Sequence, residues 1–255
     1  MTSQTSQIAL ITGGSRGLGR NTAESLARRG VDVVITYNAR ADEAQKVVAA
    51  IEAMGGKATA LQLDTGSVET FAQFAGELRQ RLQEIWGRDQ FDFLVNNAGT
   101  SHHNSIEKTT EAELDALYNV HFKGVFFLTQ TLLPLIRDGG RIVNISSGLT
   151  RIIVPESGPY GAMKGAVEVL TKYLAKELAP RRIAVNVVAP GAIATDFSGG
   201  VVRDNPDLNK RIADMTALGR TGQPDDIGPM IASLLSEDNR WVNAQRIEVS
   251  GGMAI

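Results

Sequence analysis

Tyr160 and Lys164 stand four residues apart in the run Tyr160-Gly161-Ala162-Met163-Lys164, and Ser147 lies thirteen residues before the tyrosine. On a helix, positions i and i+4 share one face, close enough for an ammonium to act on a phenol. A free tyrosine titrates near ~10, and bringing it to ~7 asks for about 4 kcal/mol from Lys164 and a bound cationic ring. Such a phenol exchanges a proton near neutrality, while a hydroxyl like that of Ser147 stabilises charge developing on a nearby oxygen. Isolated Tyr-x-x-x-Lys pairs also occur on purely structural helices, so the pair carries weight only in company.

A second cluster is the run Thr12-Gly13-Gly14-Ser15-Arg16-Gly17-Leu18-Gly19, where a short apolar strand passes into a helix. Glycines there let the main chain approach a pyrophosphate, which helix N-terminal amides then hold. The spacing of Gly13, Gly17 and Gly19 differs from G-x-G-x-x-G, and an ordinary glycine-rich turn would read the same way. At the end of the next strand, an NAD-selecting fold commonly carries Asp or Glu for the ribose 2′-hydroxyl. Tyr37 and Asn38 stand there instead, followed by Arg40. Arg16 and Arg40 can flank a 2′-phosphate with no carboxylate to repel it, which favours NADP(H) over NAD(H). The plainer reading of Arg40 is a solvated residue opening the second helix.

The elements that must position these residues alternate along the chain. Strand-like β-branched runs cover Ile8–Thr12, Val33–Thr36, Ala58–Leu63, Phe91–Val95, Arg141–Ile145, Ile183–Val188 and Arg246–Val249. Between them, helical periodicity predicts helices near 17–29, 41–54, 67–87, 107–137 (as two), 159–179 and 224–236. Near-continuous apolar strands are those buried on both faces, and right-handed crossovers place helices on both sides of one parallel sheet. The expectation is an α/β chain with one doubly wound Rossmann-type domain over 1–255. A long interval follows the sixth strand, and its part at about 192–218 reads as a lid over a ligand site.

Composition narrows the partners. The 255 residues carry 26 Lys plus Arg against 28 Asp plus Glu, a net charge of -2, which leaves no surplus for nucleic acid. The absence of cysteine excludes disulfides, thiolate nucleophiles and cysteine-held metals, and fits a reducing cytoplasm. No apolar run approaches a membrane span, and Met1 to Gln7 is polar with neither a basic nor an apolar stretch. A cytoplasmic protein with no membrane partner is expected. No metal site is assigned, because no acidic partners suitably spaced from His102 and His103 are evident. A serine hydrolase fails for want of a G-x-S-x-G elbow around Ser146 or Ser147.

Taken together, these residues resemble the classical short-chain dehydrogenase/reductase family over essentially the whole chain. The resemblance is carried by the Thr12 to Gly19 loop, Asp64, Asn96-Asn97-Ala98-Gly99, Ser147, Tyr160 with Lys164, and Pro190-Gly191 with Thr195. It implies a seven-stranded parallel sheet and a homotetramer. It also implies that Asp64 and Thr65 lie beside the adenine, Asn97, Ala98 and Gly99 along the adenosine, and Pro190, Gly191, Ile193 and Thr195 against the nicotinamide carboxamide. Tyr160 would then be the general acid in hydride transfer to a carbonyl, with Lys164 holding the ribose and Ser147 the carbonyl oxygen.

The closest branch in appearance is the 3-oxoacyl-(acyl carrier protein) reductases, which implies an NADPH-dependent reductase of a hydrophobic ketone. Oxidation of an alcohol or sugar is the alternative within enzymes, and a dinucleotide-sensing binding protein the alternative outside them. Leu149, Ile153, Glu156, Phe197 and Val201 are the expected pocket wall. Where the family pattern has Asn, the run Val120-His121-Phe122-Lys123-Gly124 has His121, with Asn119 two residues early. A neutral imidazole offers one donor and one acceptor, so His121 is expected to take over the water contact that the family's Asn makes. Alternatively it is a core histidine without a catalytic part.

Overall fold

The β-branched runs pair into one sheet, as seen in a computed structural model that describes residues 6–255. Met1–Thr5, and with them most of the polar start, lie outside the described residues. The strands are β1 (Ile8–Ile11), β2 (Asp32–Tyr37), β3 (Ala58–Gln62), β4 (Phe91–Asn96), β5 (Ile136–Ile145), β6 (Ala184–Pro190) and β7 (Arg246–Val249). All pair in parallel in the order β3-β2-β1-β4-β5-β6-β7. The α/β fold class and the doubly wound seven-stranded sheet are therefore as expected.

Helices α1 (Gly17–Ala27), α2 (Ala41–Ala53), α3 (Phe71–Trp86), α4 (Glu111–Tyr118), α5 (Gly124–Leu132) and α6 (Gly158–Glu177) fill the crossovers. After β6 come α7 (Val201–Asp204), α8 (Pro206–Asp214) and α9 (Pro224–Leu234). Alternate strand residues point to opposite faces. Ala9 and Ile11 of β1 join a core with Leu26 of α1, Val47 of α2 and Ile231 of α9. Ile8 and Leu10 join the other, with Leu78 of α3, Leu128 of α5 and Ala175 of α6.

The 107–137 interval departs most from expectation. Thr110 caps α4 with Glu113 in a reciprocal capping box, which delays the helix start to Glu111. Between α4 and α5, Asn119–Lys123 forms a π turn, so the helix takes one extra residue there. Pro134 then ends the helical path in a 3₁₀ turn, Leu133–Leu135, and β5 begins at Ile136 rather than Arg141. Ile136 pairs with Phe91, and a register shift lies between Phe91 and Phe93 where Gly139 takes φ +78°.

Candidate active site

The crossovers from β1 run one way to β2 and β3 and the other way to β4, and a crevice opens at the carboxyl end of the strands where the direction reverses. A cleft of about 680 Å³ occupies it. The carboxyl ends of strands β1 to β6, or the loops that leave them, supply its lining, from Gly13 through Tyr37, Asp64, Asn97 and Ser147 to Pro190.

The β1–α1 loop is held from its neighbours. The Thr12 hydroxyl accepts from the amides of Asn97 and Ala98, both at 2.9 Å, and the Asn97 side chain donates to the Thr12 carbonyl at 2.8 Å. Gly13 and Gly17 take φ of +64° and +54°, which allows the chain to turn into α1 at Gly17. A Cβ on Gly19 would collide with the Gly13 carbonyl, so Gly19 packs beneath the loop while Gly13, Ser15, Arg16, Gly17 and Leu18 line the cleft. This concave loop, ending on a helix N-terminus, fits the pyrophosphate of a dinucleotide.

At the next strands, Tyr37, Asn38, Asp64 and Thr65 line the cleft. Arg40 does not: it is the exposed residue preceding α2, outside the lining. Of the two guanidinium groups expected there, Arg16 is in the lining and Arg40 stands exposed at the start of α2, two residues beyond Asn38.

At the other end, α6 presents Tyr160 and Lys164 on one face, both buried. The Lys164 Nζ donates to the Ile145 carbonyl at 2.8 Å and lies 5.6 Å from the centre of the Tyr160 ring. Ser147 follows β5, and its Oγ accepts from the Leu149 amide at 3.2 Å, leaving its O–H free to donate. Ser146 is turned elsewhere, donating to Glu168 at 2.7 Å. Burial lowers Lys164 to about 8. Burial also pushes the Tyr160 phenol up, and hydrogen bonding with Ser147 only partly opposes it. Lys164 alone therefore does not produce the depression towards neutrality that the i, i+4 spacing suggested; desolvation outweighs it.

His121 sits on the π turn, almost fully buried. Its Nε2 lies 2.8 Å from the Thr100 carbonyl, and its Nδ1 has no partner among the described residues. Burial first, and the Lys164 charge second, hold its pKa down to about 3, so the ring is neutral. An Nε2–H donating to Thr100 leaves Nδ1 as an acceptor at the cleft wall.

Ala98, Gly99, Gly191, Ile193 and Thr195 also line the cleft, as do Leu149, Phe197 and Val201. Ile153 and Glu156 do not: Ile153 is 85% exposed, and Glu156 sits at a φ of +66° on the outer rim. Ile152 and Val154, on either side of Ile153, are in the lining instead. Leu208, Ile212, Met215 and Met253 complete the far wall, with His102 beside them in the lining. The apolar period of α8 could have indicated Leu208 and Ile212; nothing local indicates Met253. Among the described residues no group of three or more His, Asp or Glu converges to hold a metal, and no helix is long and apolar enough to cross a membrane.

Residues 13–254 match the family described as enoyl-(acyl carrier protein) reductase. The chain is 39% identical to an uncharacterised oxidoreductase of Methylorubrum extorquens, over 97% of each chain. Among solved structures it superposes with a TM-score of 0.93 on LugOII, a promiscuous reductase that catalyses keto-reduction at C1 during lugdunomycin biosynthesis. That match is 39% identical and covers 99% of this chain and 100% of LugOII. The angucycline C-6 ketoreductase LanV, solved with bound NADP, superposes with a TM-score of 0.92 at 36% identity, covering 97% of this chain and 95% of LanV.

Proposed function

The chain belongs to the short-chain dehydrogenase/reductase family, NAD(P)-dependent oxidoreductases of C=O and CH–OH groups, and from that premise we propose that it reduces a hydrophobic ketone to a secondary alcohol with NADPH. The observation that carries this reading is the buried phenol of Tyr160 beside Ser147 and Lys164, facing a largely apolar cleft. The glycine loop, Gly13 to Gly19, would hold NADPH, which when bound would supply the hydride.

The residues divide the remaining work. Ser147 donates a hydrogen bond to the ketone oxygen and fixes its position. Tyr160, kept protonated by burial, gives its proton to that oxygen as negative charge develops there. Lys164 has two N–H groups left after Ile145, which hold the ribose hydroxyls and lower the cost of forming phenolate. His121, through Nδ1, accepts from a water on the path that returns a proton towards Lys164. Asp64, Thr65, Asn97, Ala98 and Gly99 hold the adenosine half, and Pro190, Gly191, Ile193 and Thr195 the carboxamide.

NADPH over NADH is supported by Arg16 in the lining and by the absence of a carboxylate at Tyr37 and Asn38. Homotetramer assembly is supported by the exposed apolar side chains of Phe126 and Phe127 on α5 and Val169 and Tyr173 on α6. The 3-oxoacyl-like substrate is a narrower form of the same reading. The test is Tyr160→Phe. NADPH should still bind, followed by its fluorescence, while reduction of a ketone panel collapses; unchanged reduction refutes the mechanism.

A further inference from the structure

Behind the Ser147 loop, outside the cleft lining, two cations and two carboxylates interlock. Glu168 accepts from Ser146, Thr150 and the Arg246 Nε at 2.7 to 2.8 Å. Arg246 also reaches Glu248 at 3.1 Å, and Arg151 grips the same carboxylate through two nitrogens, at 2.9 and 2.5 Å. Arg151 then uses its remaining N–H groups on the C-terminal tail, donating to the Met253 carbonyl at 2.7 Å and the Ala254 carbonyl at 2.9 Å.

That tail is the partner of the lid. Thr216 and Met253 form an antiparallel bridge, the Leu218 amide donates to Gly251 at 3.0 Å, and the Ala254 amide donates to Met215 at 2.9 Å. Met215 and Met253 both face the cleft. One guanidinium therefore joins three parts of the site: the loop that carries Ser147, the strand β7 through Glu248, and the ribbon that places the far wall.

We propose that Arg151 is a positioning residue that sets substrate discrimination by clamping the C-terminal tail, and with it Met253 and the end of the lid, against the Ser147 loop. A planar fork with a carboxylate on one edge and two carbonyls on the other fixes direction as well as distance, which a single ammonium cannot reproduce. The clamp touches neither the phenol nor the glycine loop, so its loss alters the fit of the ketone rather than the proton transfer. The proposal uses the ketoreductase reading for its kinetic readout and the tail geometry for a second, independent one.

The experiment compares Arg151→Gln, Arg151→Lys, a chain ending at Gly252, and that shortened chain carrying Arg151→Gln. For a bulky apolar ketone, Arg151→Gln should raise KM roughly tenfold while kcat and NADPH affinity stay within about twofold, with Arg151→Lys between. The shortened chain should show a comparable rise, and adding Arg151→Gln to it should add little, since the tail carbonyls are gone and only the Glu248 contact remains. Amide exchange at Leu218 and Ala254 should speed up in Arg151→Gln whether or not any ketone is turned over. Unchanged exchange at those amides overturns the clamp, as does an effect of Arg151→Gln that multiplies with the truncation. Faster exchange with no ketone turnover in the parent protein overturns the ketoreductase reading and leaves the clamp standing.

Discussion

The imidazole of His121 meets the ring of Tyr160 edge-on, with centroids 5.2 Å apart and planes at 85°. The two side chains come from different elements, the π turn and α6, and the contact is between two uncharged aromatic groups. A second ring, Phe197, lies 6.1 Å from the phenol between centroids, tilted by 55°. Packing against these two rings, and not an ion pair, orients the Tyr160 ring.

Replacement of His121 separates packing from polarity. His121→Asn keeps an acceptor at the cleft wall and should retain kcat within about fivefold, whereas His121→Leu fills similar space without one and should lose about 100-fold. Both variants are assayed for ketone reduction at saturating NADPH. Full activity in the Leu variant removes His121 from the proton path.

The same ring makes stability depend on acid. Its folded pKa of about 3 lies below the ~6.5 of an unfolded histidine, so the unfolded chain binds the extra proton first. This contribution is complete above pH ~6.5 and is lost as pH falls from there towards 3, reaching about 2 kcal/mol at pH ~5. Denaturant melts at pH 7 and pH 5 should show that slope in the parent protein and a loss smaller by about that amount in His121→Asn.

Lys164 sets the alkaline side. Burial brings its pKa to about 8, so above that pH the ammonium that supports the phenol is neutralised. The kcat/KM for reduction should fall above pH ~8, since that ratio reports groups of the free enzyme. In Lys164→Arg, where the charge persists, whatever activity remains should be flat between pH ~7 and ~9.

At Gly19 the glycine loop leaves no room for a methyl group against its own main chain. Gly19→Ala drives a Cβ into the Gly13 carbonyl and the Asn97 amide, and should weaken NADPH binding at least ~100-fold while circular dichroism stays native. Gly76→Ala, in the open on α3, is the control and should bind NADPH normally with a stability gain of up to ~1 kcal/mol.

Much of the site was legible because it rests on local relations. Tyr160 and Lys164 share a face by helical spacing, and the loop at Gly13 to Gly19 follows a strand and opens a helix. What was not legible depends on tertiary placement. The apolar run through Leu132 to Ile136 reads as continuing helix, and only Pro134 signals that a strand has begun. Ile153 points outward and its neighbour Ile152 lines the cleft, which no periodicity in a short loop records. Burial, a property of the assembled fold, pushes the Tyr160 phenol up, and local spacing does not record it.

The π turn at Asn119–Lys123 gives the segment between Leu117 and Leu128 one residue more than a regular helix needs. Each helical residue advances about 100° and 1.5 Å, and the wider turn absorbs one such step. Within it His121 meets the tyrosine, while Gly124 just beyond it backs onto the Thr65 carbonyl, which tolerates no side chain there. A one-residue deletion in the turn would thus remove the imidazole's seat while leaving an unbroken helix.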